Sequence, residues 1–165
     1  MKSIDQRLVL GCAAALALIA GSAQAAEAVS RVPFNFAANP TGISTTVSVP
    51  ATMKLHFISG QLPTIADPKN PGDTYAQTKS VIAKLVAQLA ALGLKPSDAV
   101  KATVFLVGDP AKGGEQDFAG FSKAWTETWT GGPGGAFPAR SAVKISGLNL
   151  PGALLEIEMI AAGPN

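Results

Sequence analysis

Arg140 opens a run, FPARSAVKIS (residues 137–146), that otherwise reads as a strand, and the next apolar run carries Glu156 and Glu158. Side chains alternate between faces along a strand. Arg140, Ala142 and Lys144 therefore share one face, and Glu156 and Glu158 share a face opposite Leu155, Ile157 and Met159. If the GLNLP turn makes the two strands neighbours, the arginine face meets the glutamate face. Two chemistries are open to such an arrangement. One is a solvent-side ladder of ion pairs, each worth about 0.2–1 kcal/mol. The other is a pocket where a guanidinium fork grips a carboxylate and a glutamate positions or deprotonates a water. Spacing alone does not choose between them.

Other chemistry-bearing residues are sparse. His56 is the one histidine and sits between apolar neighbours in LHFIS, the setting of a structural histidine; it leaves no His-rich metal cluster and little for a His-based triad. Gly131-Gly132-Pro133-Gly134-Gly135 lacks the Gly-Lys-Ser/Thr ending of a phosphate loop and reads as a flexible connection. Trp125 and Trp129, four residues apart, suit a core or an interface better than a stacking platform.

The chain starts with a basic end (Lys2, Arg7), a short apolar run over 8–20 and small residues up to Ala25. That is the layout of a cleaved secretory signal over 1–25, too short to span a bilayer, and the expectation is a periplasmic or secreted protein with no membrane attachment after cleavage. Cys12, the only cysteine, leaves with the leader, so no disulfide, thiolate nucleophile or cysteine metal site is expected. Cleavage also removes Lys2, Arg7 and Asp5 and brings the formal charge from +2 to about +1, which offers no electrostatic footprint for nucleic acid.

The elements that must position these residues follow from periodicity. Residues 26–43 read as irregular, and one domain is expected over 44–165. Strands are expected at Ser44–Val49 and Met53–Ser59, split by Pro50. Ile82, Leu85, Val86 and Leu89 follow helical spacing, with Asp73 or Thr74 to cap the start and Gly93 to suit the end. A strand at Val100–Val107 precedes a second helix marked by Phe118, Phe121, Ala124 and Trp125 and capped by Asp117; strands at Ala139–Ser146 and Ala153–Ala161 close the chain. The order β-β-α-β-α-β-β, with room for one more strand at the start, implies an α+β domain with both helices on one face of a mixed sheet.

The pieces FISGQLP, GDTYAQTKSVIAKLVAQLAALGLKPSDAVKATVFLVGD, DFAGFSKAWTETW and FPARSAVKISGLNLPGALLEIEMIAA together resemble the RidA/YjgF family over about residues 53–162. The resemblance implies a chorismate-mutase-like homotrimer with a pocket between subunits. It implies hydrolysis of 2-imino acids and enamines to 2-keto acids and ammonia, without metal or cofactor. On that likeness Arg140, in PARS, holds the substrate carboxylate, Glu156, first in EIE, holds the attacking water, and Gly60, in SGQ, lines the pocket. The chain departs from the family pattern at Ala142, where a cysteine is frequent, at Ser44, where a tyrosine is frequent, and at Ser122, where an asparagine is frequent. The alternative expectation is a trimer that binds a carboxylate ligand in the same cleft without turning it over.

Overall fold

The structure, a computed structural model, describes residues 28–36, 39–129 and 136–165. The leader over 1–25 and the glycine run over 131–135 lie outside the described residues. A six-stranded sheet is built from β1 (Ser30–Phe36), β2 (Asn39–Ser48), β3 (Lys54–Gln61), β4 (Ala99–Val107), β5 (Ala139–Ile145) and β6 (Leu155–Gly163), with α1 (Thr74–Ala91) and α2 (Phe118–Thr128) packed on one face. The expected α+β layering is present. The stretch over 26–43, expected to be irregular, instead holds β1 and the start of β2, which pair as an antiparallel hairpin. Polar and proline residues hide this hairpin from periodicity.

The strand order is β1-β2-β5-β4-β6-β3. β4 and β5 run parallel, so the chain must cross over between them, and α2 makes that crossover. β6 is antiparallel to β4 and to β3 and fills the space between them. β5 and β6 are therefore not neighbours, contrary to the expectation drawn from the GLNLP turn. A parallel pairing with β4 occupies the edge of β5 that a hairpin with β6 would have needed.

Each helix buries the stripe its spacing dictates. α1 presents Val81, Ile82, Leu85 and Leu89 to the sheet, where Ala102, Val104 and Leu106 of β4 and Leu155, Ile157 and Met159 of β6 meet them, all buried. Burying side chains of this size stabilises the fold by about 1.5–3 kcal/mol each. α2 adds Phe121, Trp125 and, just beyond its end, Trp129. Asp73 caps α1 through Ala76 N–H and Asp117 caps α2 through Gly120 N–H, as the sequence suggests. No helix among the described residues is long and apolar enough to cross a membrane.

One buried polar residue organises the far end of the sheet. The side-chain amide of Gln77 donates to Gly152 O (2.9 Å), Pro71 O (3.1 Å) and Gly72 O (3.3 Å), and its oxygen accepts from Leu154 N–H (2.8 Å). These bonds hold together two of the loops around a cavity of about 470 Å³ that is lined by residues 70–73, 107–111 and 152–154. Gln77→Leu strands the buried Leu154 N–H, and the expected loss is about 1–3 kcal/mol in denaturant unfolding. An unchanged midpoint would show that water replaces the network without cost.

Candidate functional site

Arg140 is the second residue of β5 and pairs across to Ala102 of β4, which in turn pairs to Met159 of β6. Ala102 and Met159 are core residues beneath the helices, so Arg140 is on the helix face. Its guanidinium lies 4.9 Å from the ring centroids of both Phe121 and Trp125 on α2. Such contacts favour a cation by about 0.5–2 kcal/mol as water is removed. Burial nevertheless disfavours the charge and pushes the guanidinium pKa down to about 10, which leaves it protonated at neutral pH. Nη1 is buried and has no hydrogen-bond partner among the described residues, and no carboxylate there comes within ion-pair distance of it. A half-buried cation without a counter-ion is a costly feature for a fold to keep.

Glu156 is on the other side of the sheet. It pairs to Phe105 of β4, and Phe105 pairs to Val143 of β5, so these residues share the face away from the helices. Arg140 and Glu156 of one chain are thus separated by β4 and by the thickness of the sheet. Sequence parity assigned the strand faces correctly; the meeting of arginine and glutamate faces does not occur within the chain. Nor does the ion-pair ladder: the ion pairs among the described residues are Lys144–Glu115 at 3.0 Å and Lys112–Asp117 at 3.5 Å.

Glu156 instead meets Gly60. β3 and β6 pair in register up to Ile58–Met159 and then shift, with Gln61 opposite Ile157. At this irregularity a Cβ on Gly60 would overlap the Glu156 carboxyl group, so only glycine lets the carboxylate lie against the backbone. The Gln61 amide turns back to donate to Ser59 O (3.0 Å) and Gly60 O (3.3 Å). The SGQ and EIE segments, distant in sequence, thus meet in space at Gly60 and Glu156.

Ser44 ties β2 to the strand that carries Arg140. It makes the one bridge between β2 and β5, opposite Ala139, and its hydroxyl donates to Phe137 O at 2.7 Å. Ser44, Thr45, Lys101, Ser141 and Arg140 border a cavity of about 320 Å³, where Lys101 donates to the Ser141 hydroxyl at 2.8 Å. Ala142 is half-buried against the core and does not line this cavity. Ser122 lies half-buried on α2, where its carbonyl accepts from Thr126, and does not line it either. His56 is half-buried on β3, three places from β5 in the strand order, and takes no part. Among the described residues no group of three or more His, Cys, Asp or Glu is placed to hold a metal ion.

The residues that sequence reasoning missed are Phe121 and Trp125 as the aromatic bed of the arginine. Their i, i+4 spacing marks a helix face, and nothing in it marks a cation.

Comparison with known proteins gives a consistent picture. A family model described as Endoribonuclease L-PSP matches residues 39–163. Protein DfrA of Myxococcus xanthus is 38% identical over 112 residues, which cover 66% of this chain and 76% of that protein. The crystal structure of the Rid-family protein YyfB from Yersinia pestis superposes with a TM-score of 0.63 at 24% identity, over 82% of this chain and 98% of that one. RidA from an Antarctic Psychrobacter is similar with a TM-score of 0.50 at 28% identity, over 79% of this chain and 93% of that one.

A depressed arginine pKa penalises folding at every pH below about 10, and the penalty fades as pH rises from there towards the ordinary arginine range. Arg140→Met should therefore stabilise the free protein at pH 7, by about 1–3 kcal/mol, while abolishing anion binding. Denaturant unfolding of both proteins checks this. A loss of stability on substitution would mean that Arg140 is a structural cation.

Proposed function

The chain belongs to the Endoribonuclease L-PSP family, which includes the Rid/YjgF proteins, and from that membership we propose that it hydrolyses reactive 2-imino acids and their enamine tautomers. The observation that carries the reading is the charged, half-buried guanidinium of Arg140, whose Nη1 has no hydrogen-bond partner among the described residues. A substrate carboxylate supplies the missing counter-charge and accepts from the idle Nη1–H.

The chemistry asks little of the protein. An imine carbon is electrophilic, more so when its nitrogen is protonated, and positioning supplies most of the rest. Arg140 holds the carboxylate and thereby orients the neighbouring carbon. A water held by Glu156 adds to that carbon and passes a proton to the carboxylate, giving a carbinolamine. The proton moves on to nitrogen, the hydroxyl gives its own proton back to the Glu156 carboxylate as the C–N bond breaks, and ammonia and a 2-keto acid leave. No metal or cofactor takes part in this scheme.

Arg140 and Glu156 face opposite sides of one sheet, so a shared site requires a second copy of the chain. The helix-free face carries Leu55, Phe57 and Val143 exposed, Phe57 at 75%, and such a surface favours cover. In the proposed homotrimer each copy covers this face of the next, and the Arg140 half of one meets the Gly60–Glu156 half of another. Residues 1–25 direct the protein to the periplasm or the exterior, and N-terminal sequencing of the exported form should then begin at Ala26.

A second reading is favoured by the same unpartnered guanidinium: binding of a carboxylate ligand needs the Arg140 half alone and no turnover. Cleavage of RNA is disfavoured by the near-neutral charge and by the position of His56 away from Arg140.

The deciding measurement uses residues 26–165, with an amino-acid oxidase generating a panel of 2-imino acids and semicarbazide trapping what survives. Wild type should accelerate imine loss. Arg140→Lys should lose most of that effect because a point charge does not reproduce the planar fork, and Glu156→Gln should lose about a hundredfold or more. Light scattering on the same preparation should give three times the chain mass. Carboxylate binding by a trimer without turnover would establish the second reading, and a monomer would remove the shared cleft.

Gly60→Ala tests the other half of the site. It should displace the Glu156 carboxylate and lower kcat about as far as Glu156→Gln. Wild-type kcat in this variant would show that the Gly60–Glu156 packing is irrelevant to turnover.

A further inference from the structure

Trp125 makes three different contacts with one side chain. Its ring lies 4.9 Å from the Arg140 guanidinium and stacks on Trp129 at 5.3 Å and 14°. Its indole N–H donates to the carbonyl of Gly42 at 2.9 Å, within the buried interior. Gly42 has φ +60°, and a Cβ there would stand 3.3 Å from the indole edge, so glycine is what permits the approach.

The Gly42 bond has consequences because the β1–β2 hairpin is lightly attached. Among the described residues it is tied to the rest of the chain by the single Ser44–Ala139 ladder bridge to β5, the Ser44 hydroxyl on Phe137 O, the indole bond, and Arg31 donating to Ser97 O and Ala99 O. The indole that makes the Gly42 bond also lies against the Arg140 guanidinium. Gly42 and Ser44 are two residues apart, and Ser44 pairs with Ala139, the residue before Arg140 on β5.

We propose that Trp125 is a positioning residue that holds the Arg140 clamp and the neighbouring Gly42–Ser44 wall of β2 in a fixed relation. The ring face fixes the height of the guanidinium, and the ring edge fixes β2. Disengaging the edge lets the wall drift from the clamp and weakens carboxylate capture before it affects the chemical step. This inference rests on the reading of Arg140 as a carboxylate clamp.

The test compares Trp125→Phe with Trp129→Phe in the mature trimer. Phenylalanine at 125 keeps an aromatic face and loses the N–H. Trp129 is equally buried and stacks on Trp125, so its substitution controls for lost packing. Trp125→Phe should raise KM for 2-iminopropanoate about tenfold with kcat within about twofold, the signature of lost ground-state binding. Amide hydrogen exchange at Ile43 and Ser44 in the ligand-free protein should accelerate in the same variant. Trp129→Phe should leave KM and both exchange rates within about twofold of wild type. Equal effects of the two substitutions, or wild-type KM and exchange in Trp125→Phe, overturn the proposal. If wild type itself turns over no imine, the proposed activity fails separately. Exchange at Ile43 and Ser44, with and without added pyruvate, then still decides the role of Trp125.

Discussion

β4 gives its backbone hydrogen bonds to β5 on one edge and to β6 on the other, and the separation of the candidate site into two halves follows from this placement. Paired residues in adjacent strands share a face, so the chain Arg140–Ala102–Met159 is bound to one side of the sheet and Val143–Phe105–Glu156 to the other. A slip of one residue in either pairing would reverse that division and drive β4 core residues out to solvent. The buried row Ala102, Val104, Leu106 holds the register.

The helix-side half keeps a cation where a hydrophobic side chain would pack at lower cost. The two rings of α2 offset part of the desolvation, and the remainder persists in the depressed pKa. Folds retain such features where a ligand supplies the compensation. The opposite half works by subtraction: an absent side chain at Gly60 makes room for the Glu156 carboxylate. Arg140 and Glu156 are carried by strands inside the sheet and Gly60 by the edge strand β3, and the irregularity between β3 and β6 brings Gly60 against Glu156. The departures from the family pattern at Ser44, Ala142 and Ser122 fall around this framework. Ser44 serves as a staple between β2 and β5, and Ala142 has joined the edge of the core.

Much was legible in the sequence, for identifiable reasons. The stripe Ile82, Leu85, Leu89 and the cap candidates Asp73 or Thr74 and Asp117 are local patterns, and they located the start of both helices and the end of α1 to within a residue or two. The alternation in β5 and β6 assigned Arg140 and Glu156 to their faces within each strand. The hairpin over 30–48 was only partly legible, because its strands carry proline, asparagine and serine where β-branched residues would mark them. The aromatic bed of Arg140 was not legible at all, since a ring facing a guanidinium has the same spacing as a ring facing leucine.

The sequence by itself determined which residues share a face and which segments resemble a known family. Both are properties of short stretches, set by the two-residue period of strands and the 3.6-residue period of helices. Tertiary structure alone decided which strands are neighbours. Neighbourhood depends on where the chain returns after a crossover, and a parallel pair joined through α2 occupied the edge that a short turn seemed to reserve. The result separates Arg140 from Glu156 within the chain, packs Glu156 onto Gly60 and rests the arginine on Trp125.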